Sequence, residues 1–559
     1  MEDNFIEFKD VYKRYQMGEV TIAAANGVNF HVKPGEFVVI VGPSGAGKST
    51  ILTAINYALS PAWNLSFSDL DFYNQDICNP IEINVSVSEL PSSLLKDHKF
   101  GLLSPSLSEE DSGEKFDPGK MTLNIRLRVD DSLEPKWTVI NNFGTEVPIS
   151  ATDRAKIGAT LVADYCDNHF SYSKQSPLYR LTKNSLEGTS IEEIQTHLLR
   201  DLKSKYSKSE LAELEKILED LPERFKPYGL LLDEIKTLFD FRENTLNGSS
   251  LSLHSHGLPL RLQGKGTKRL ISMGLQQELS KNGNIVLIDE VEQGLEPDRI
   301  VNLIKLYKRT QKGQVILSTH SSYVLVEAEA NQLYKVVKSS DGTTHQVLPV
   351  SSEMTACRRT NPHAFFAKKI ICCEGKTEFG VMRSLDEWLL ENKNLSLASL
   401  GVSYIDCGGG SKMYDFARLL KELKYETCVF ADNDSLKDLH EHQKKADDLN
   451  IRLFLCSVGK CIETQFFEDF DKEYIEPFLL LLSDEPLNRP EFLEDYKKHK
   501  DDFKTKFPMS ILTKKIFKNI PGGEFLGKLI LNQYGSVPYP EFSVLRNLLT
   551  EIENWSTNA

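Results

Sequence analysis

Residues 36–59 read EFVVIVGPSGAGKSTILTAINYAL. A short apolar run, a glycine-rich turn and a helix-forming stretch follow one another without a break. Within it, Gly42, Gly47, Lys48 and Ser49 satisfy the pattern G-x-x-x-x-G-K-S. Glycines at such a turn let backbone N–H groups converge on phosphate oxygens, and the start of the following helix favours negative charge. The pattern predicts a nucleotide-binding loop. Gly42, Ser44, Gly45, Gly47 and Thr50 form the cradle, Lys48 neutralises the β- and γ-phosphates of ATP, and Ser49 ligates Mg²⁺.

Working outward, the matching half of such a site lies far downstream. The run IVLID at 285–289 ends in Asp289-Glu290, and VILSTH at 315–320 ends in His320. Unbroken apolar runs of this length predict strands of a parallel sheet buried on both faces. At the end of the first strand Asp289 holds Mg²⁺ and Glu290 polarises the attacking water as general base. His320 is expected beside the γ-phosphate as a neutral donor. Alternating stretches at 81–90 and 121–130 predict half-buried strands, separated by a polar loop at 104–120. Between about 190 and 241, Ile191, Ile194, Leu198 and Leu202, and then Leu211, Leu214 and Leu218, fall at helical spacing, so a helical insertion is expected.

A second constellation occupies the C-terminal half. KKIICCEGKTEFGVM at 368–382 predicts a strand that ends at Glu374 and turns into a helix carrying Glu378. ETCVFADNDS at 426–435 predicts a buried strand ending in Asp432 and Asp434, and CIETQFF at 461–467 brings Glu463. In an open parallel sheet the carboxyl ends of the strands converge on one crevice, so these acids can meet there. Hard oxygen ligands select Mg²⁺ or Mn²⁺, and a two-metal site serves in-line displacement at phosphorus.

The 559 residues are enough for several domains, and a 40% hydrophobic, 26% charged composition excludes wholesale disorder. The net charge of −14 argues against a protein that coats nucleic acid through bulk electrostatics, but not against a nuclease with an acidic centre. No apolar run of membrane-spanning length occurs and the N-terminal residues are polar, so a cytoplasmic chain with no membrane partner is expected. Seven of the nine cysteines lie between Cys357 and Cys461 in strand-like contexts, which reads as reduced, buried thiols. Nine lysines crowd 497–528. Such a run is a solvated helix face or a local surface for phosphates.

The first set of residues resembles the ABC-type ATPase family, including its repair and SMC-like members. The resemblance assigns Gly264 and Gly266, in GKGTKR at 264–269, to the signature loop, and 294–298 to the D-loop. It assigns Tyr15 to adenine stacking and Gln75 to the Q-loop. The serine-led LSGGQ of transporters is absent, and the Asp-Glu pair comes far later than in transporters, so the transporter reading fails. In this family two heads sandwich two ATP molecules, which implies a homodimer that closes on ATP.

The second set, in its order, resembles the TOPRIM fold of topoisomerases, primases and OLD-family nucleases. There Glu374 is the first acid, Asp432 and Asp434 the paired motif, Glu463 the later acid, and Glu378 a further metal ligand. Lys528 in EFLGKLILN matches a late lysine that stabilises the scissile phosphate. Over nearly its full length the chain resembles the OLD family, which includes the Gabija nuclease subunit and retron-associated antiphage effectors.

That resemblance implies an α/β protein with an ABC-type ATPase head at 1–355. A helical dimerisation insertion is expected at about 150–245, a TOPRIM core at 356–475 and a helical region at 476–559. It implies ATP with Mg²⁺, nuclease Mg²⁺ or Mn²⁺, DNA as substrate, and a defence partner such as a reverse transcriptase with its RNA–DNA product. Two rivals stand beside the nuclease: a repair-like ATPase whose TOPRIM region only binds nucleic acid, and an ATP-dependent scaffold of a defence complex.

Overall fold

The computed structural model describes residues 6–17, 20–32, 37–63, 65–88, 90–96, 99–100, 122–141, 144–163, 167–173, 176–185, 193–194, 216, 218, 221–230, 235–239, 251–280, 285–310, 313–338, 345–410, 412–434 and 446–558. The side chains of strands 6–17, 20–32 and 235–239 lie outside this description. The chain divides into two compact units, Met1–Val350 and Ser351–Ala559.

In the first unit, five parallel strands form the core sheet in the order Leu333–Lys338, Phe37–Val41, Gln314–Ser318, Ile285–Ile288, Ala159–Val162. His345–Pro349 adds antiparallel at one edge. Phe37–Val41, Ile285–Ile288 and Gln314–Ser318 are buried at every residue, as strands covered on both faces must be. A second, antiparallel sheet runs Val20–Val32, Ile6–Met17, Ile81–Val87, Leu123–Val129, Pro135–Ile140, Glu146–Pro148. Leu123, Ile125, Leu127 and Val129 point inward in alternation. The helix Lys48–Leu59 shares one core with both sheets, burying Ile51, Leu52, Ile55, Ala58 and Leu59. Its far end is clamped by buried Arg154, which stacks 3.9 Å over Trp137 and donates to Ser60 O, Ile149 O and Ala62 O at 2.7, 2.7 and 2.9 Å. The phosphate-loop end is thereby held at the carboxyl edge of the parallel sheet.

The span 150–245 differs from the helical insertion expected of it. Ala159–Val162 is the edge strand of the core sheet, in parallel register with Ile285–Ile288, and Ile235–Phe239 pairs antiparallel with Leu251–Ser255. In the four-residue strand ATLV, Thr160 interrupts an already short apolar run, which leaves no pattern to mark it. Short helices at Ala151–Ile157, Pro177–Ser185 and Leu221–Phe225 do lie in this span. Ile194 and Leu218 are buried, whereas Ile191, Leu198, Leu202, Leu211 and Leu214 lie outside the described residues, as does the loop at 104–120.

The second unit is built on four parallel strands in the order Val402–Asp406, Lys369–Cys373, Glu426–Ala431, Arg452–Leu455. The helices that follow share its core: Phe430 and Phe454 of the sheet lie in one cluster with Phe466, Phe478, Phe507, Phe525 and Trp555. Cys357, Cys372, Cys373, Cys407, Cys428 and Cys456 are free and buried, Cys461 is half-buried, and Cys78 is exposed. No helix among the described residues is long and apolar enough to cross a membrane.

Two helices of this unit, Lys376–Lys393 and Ile520–Ile530, meet almost backbone to backbone. A Cβ at Gly380 would stand 2.4 Å from Ile520 O, and one at Gly523 would stand 2.2 Å from Thr377 O. Only glycine fits there, and the closeness fixes the start of the Lys376–Lys393 helix against the first turn of Ile520–Ile530. Gly380→Ala is therefore expected to destabilise the second unit by about 1–3 kcal/mol through overpacking. Chemical denaturation measures this, and an unchanged midpoint would contradict the close crossing.

Candidate functional site

At the carboxyl edge of the first unit's parallel sheet, Gly42 to Gly47 leads into the helix Lys48–Leu59. Lys48 is buried, and its Nζ donates to Gly42 O and Pro43 O at 2.9 and 3.0 Å. Burial pulls this ammonium down to about 8, opposed by the carboxylates of Asp289, Glu292 and Glu290. Ser49 Oγ donates to Asp289 Oδ1 at 2.9 Å, closing a gap of 240 residues. Ser318 Oγ donates to the same oxygen at 2.5 Å and accepts from Glu290 N–H at 2.9 Å. One hydroxyl thus holds both members of the Asp-Glu pair. Thr50 is buried, and Ser44 and Gly45 are exposed at the rim.

His320 stands in the same cleft with its N–H donating to Glu292 Oε1 at 2.5 Å, and Glu292 Oε2 accepts from Thr319 Oγ1 at 2.7 Å. Burial and then the charge of Lys48 lower the His320 pKa, so the imidazole is neutral near pH 7. Glu292, which the sequence reading passed over, is the anchor of this loop. Gly266 presses against Gly294, where a Cβ would stand 2.1 Å from Gly294 O, so the signature-like loop and the D-loop-like turn are in backbone contact. Gly264 is exposed just before the helix Lys265–Ser280. Gln75 ends an exposed 3-10 turn, and none of the described bonds joins its side chain to Ser49 or Asp289. Tyr15 lies on the strand Ile6–Met17 opposite Ile22, and its side chain is outside the described residues.

Arg269 is the second residue that local patterning did not single out. It is fully buried in the Lys265–Ser280 helix. Its Nη1 donates to Ala163 O and Gln293 Oε1, and its Nη2 donates to Asp289 O and Glu290 O at 2.5 and 2.9 Å. It ties the signature-like helix to the backbone that carries the two acids.

In the second unit the strand Lys369–Cys373 delivers Glu374, Glu426–Ala431 delivers Asp432, and the helices Lys376–Lys393 and Ile462–Asp469 deliver Glu378 and Glu463 in their first turns. Asp432 N–H donates to Glu374 Oε2 at 3.1 Å, Gly375 N–H to Glu378 Oε2 at 2.8 Å, and Ile462 N–H to Asp432 Oδ1 at 2.8 Å. Glu378 and Glu463 are each 3% exposed, and Asp434 is exposed at the mouth. Glu463 Oε1 is buried with no hydrogen-bond partner. Glu374, Lys376, Glu378, Asp406, Asp432 and Lys518 are among the residues that line a cleft of about 290 Å³.

Lys528 is not at this cleft. Its ammonium pairs with Glu387 Oε2 at 3.0 Å, nine residues along the helix from Glu378 and so roughly 13 Å away along the axis. The lysine that faces the acids is Lys518, 3.0 Å from Glu463 Oε2 and 3.5 Å from Asp432 Oδ2. Burial opposes its charge, but Glu463 and Asp432 outweigh burial and hold the ammonium above its ordinary range. Lys518 is one of nine similar lysines in sequence, and its place two residues before the helix that crosses Lys376–Lys393 brings it to the acids. Burial raises Glu374 and Asp432, with Asp432 adding to the shift of Glu374. A largely buried acid set with an orphaned oxygen and the Lys518 ammonium as counter-charge fits divalent cations.

A family model described as "AAA domain, putative AbiEii toxin, Type IV TA system" matches residues 37–327, more than half of the chain. A second, described as "Overcoming lysogenization defect protein-like, TOPRIM domain", matches 365–434. An uncharacterized ABC transporter ATP-binding protein of Thermotoga maritima is 55% identical over 47 residues, 8% of this chain and 20% of that protein. Another, of Methanocaldococcus jannaschii, is 46% identical over 72 residues, 12% of this chain and 31% of that protein. The chain thus spans between a fifth and a third of the length of these relatives. Among solved structures, the SMC head bound to the C-winged helix domain of ScpA aligns at TM-score 0.37 and 17% identity, covering 64% of this chain and 100% of that one. A dimeric ATP-binding cassette bound to ADP and Pi aligns at TM-score 0.27 and 17% identity, covering 61% and 96%.

Two outcomes follow from this geometry. Arg269→Met leaves four partly buried acceptors without their charged donor and is expected to cost about 3 kcal/mol, read as a lower denaturation midpoint. A midpoint equal to wild type would show that Arg269 is not what holds the Asp289-Glu290 backbone. The second concerns pH. Burial, and then the charge of Asp432, push Glu378 up to about 8 from the ordinary 4.5. The folded, cation-free chain therefore keeps a proton that the unfolded chain gives up, so its stability falls as pH rises from about 5 through 8. Melting in chelator should show that slope, and Glu378→Gln should flatten it. A slope identical in the variant would place the effect elsewhere.

Proposed function

The chain belongs to the AAA-domain family, with an OLD-like TOPRIM domain behind its ATPase domain, and from that premise we propose that it is an ATP-controlled, divalent-metal-dependent endonuclease acting on DNA phosphodiester bonds. The fold is an ABC/SMC-like ATPase head followed by a TOPRIM domain with a helical C-terminal region. The observation that carries the proposal is the gathering of Glu374, Glu378, Asp432 and Glu463 at one sheet edge, with the Lys518 ammonium paired to Glu463 and Asp432.

Glu374, Glu378, Asp432, Asp434 and Glu463 are the residues that would hold Mg²⁺ or Mn²⁺. When bound, such ions supply Lewis-acid activation of water and charge neutralisation at the leaving oxygen. The chain's own groups do the rest. Backbone N–H donors from Asp432 and Ile462 fix the Glu374 and Asp432 carboxylates in place. Lys518, half-exposed, has the reach to turn from Glu463 toward a phosphate at the mouth and offset its charge. This is the role the family resemblance gave to Lys528.

In the ATPase cleft, Lys48 is the group that binds the terminal phosphates of ATP, and Ser49 and Asp289 are already paired where Mg²⁺ would sit. Glu290 orients the attacking water, and neutral His320 donates beside the γ-phosphate. Exposed Gly264, and Gly266 in contact with the D-loop-like turn, are suited to complete the site of a second copy, which supports a homodimer closed by ATP. Antiphage defence is inferred from the OLD-like architecture.

Incubation of supercoiled plasmid with the full chain tests the reading. With Mg²⁺ or Mn²⁺, wild type should nick or cut, Glu374→Ala and Asp432→Ala should abolish cutting while keeping ATP hydrolysis, and Glu290→Gln should bind ATP without turning it over. Lys518→Ala should slow cutting on the order of a hundredfold, whereas Lys528→Ala should not. Plasmid left intact by wild type under both metals would sink the nuclease in favour of a non-cleaving ATPase. Equal losses from the two lysine variants would restore Lys528 to the site.

A further inference from the structure

The acid cluster contains one group that hydrolysis does not require. Cys461 caps the helix Ile462–Asp469, two residues before Glu463 and beside Asp432. Asp432, Cys461 and Glu463 each present one ligand atom, and those atoms lie within 4.8 Å of one another. Ligand atoms around a tetrahedral Zn²⁺ stand roughly 3.3–3.8 Å apart, given bonds of about 2.0 Å to oxygen and 2.3 Å to sulfur. A contraction of about 1 Å, within reach of side-chain rotation, therefore closes the set.

A second observation points to a ligand here. Glu463 is 3% exposed, its Oε1 is buried with no hydrogen-bond partner, and its Oε2 stands 3.0 Å from the Lys518 ammonium. A buried carboxylate in that state lacks a positive partner on one side. The Cys461 Sγ faces both the Glu463 carboxylate and the Thr464 hydroxyl. The Thr464 hydroxyl donates to Cys461 O at 2.9 Å, so at 3.3 Å from Sγ it can only accept the thiol proton. Cys461 is half-buried, so the site opens to solvent on the sulfur side.

We propose that Asp432, Cys461 and Glu463 form a three-ligand site for a thiophilic divalent cation of the Zn²⁺ class. This cation competes with Mg²⁺ or Mn²⁺ for the two shared carboxylates and so switches the cleft off. The inference deepens the nuclease reading by adding a regulator of the same cleft, but the binding step stands without it. On binding, the Sγ–metal bond forms, the thiol proton leaves to water, and the Lys518 ammonium gives up its place at Glu463 and turns to solvent. Hard ions gain little from a sulfur ligand, so the thiol tips the choice toward softer metals. A fourth position remains open to water.

Cadmium titration of the full chain tests this through the near-ultraviolet sulfur-to-cadmium charge-transfer band, which needs neither DNA nor ATP. Cys78→Ser and Cys166→Ser supply a background without those thiols. In that background one equivalent of Cd²⁺ should raise the band. Cys461→Ser and, independently, Cys461→Ala should remove it and weaken Zn²⁺ binding by on the order of tenfold to a hundredfold. Zn²⁺ should also protect Cys461 from alkylation in the background protein but not after Asp432→Asn. A band or Zn²⁺ affinity unchanged by either Cys461 variant would overturn the site, as would alkylation of Cys461 unaffected by Zn²⁺. If plasmid cutting is absent while the band behaves as described, the nuclease reading falls and this site remains. If cutting depends on Glu374 and the band is missing, the reverse holds.

Discussion

Carboxylates brought together at the end of one sheet repel each other, and much of the second unit is arranged to hold them there. Two like charges 4 Å apart cost about 4 kcal/mol at an effective dielectric of about 20, so a cluster of this kind persists only if protons, N–H donors or cations relieve it. All three devices are visible. The N–H groups of Gly375, Asp432 and Ile462 face Glu378, Glu374 and Asp432, and burial keeps Glu378 protonated to about 8. Lys518 supplies an ammonium at Glu463. What these leave unsatisfied, the buried Oε1 of Glu463, is what a divalent ion would complete.

The two clefts are electrostatic opposites built on the same scaffold. Each lies where parallel strands end and a helix begins. In the first, a buried ammonium and a run of backbone N–H groups await an anion, and the acids Asp289, Glu290 and Glu292 are tethered through Ser318, Thr319 and Arg269. In the second, acids await cations and a lysine stands in for them. Topology supplies both positions, because strand ends in an open parallel sheet have no side-chain neighbours ahead of them.

The parts of the fold most legible from sequence were those buried on both faces. FVVIV, IVLI, VIL, IICC and CVFA are unbroken apolar runs because each lies under covering elements, and the chemistry-bearing residues follow closely after them. Ala159–Val162 escaped notice because Thr160 interrupts its short apolar run, and it sits in a span whose leucine spacing suggests helices. Lys518 could not be chosen among nine lysines, since its selection depends on Gly380 and Gly523 meeting from segments more than a hundred residues apart. Arg269 and Glu292 were likewise invisible: both act on backbone groups through tertiary contacts, which leave no local pattern.

The central claim is that the clustered acids are a cation site for which Lys518 is the placeholder. Anomalous diffraction from crystals of the full chain soaked in Mn²⁺ tests it most directly. The account predicts manganese density bounded by Glu374, Asp432 and Glu463, with the Lys518 ammonium withdrawn from Glu463. Crystals without manganese at these carboxylates, and with the Lys518–Glu463 pair intact at saturating Mn²⁺, would contradict it.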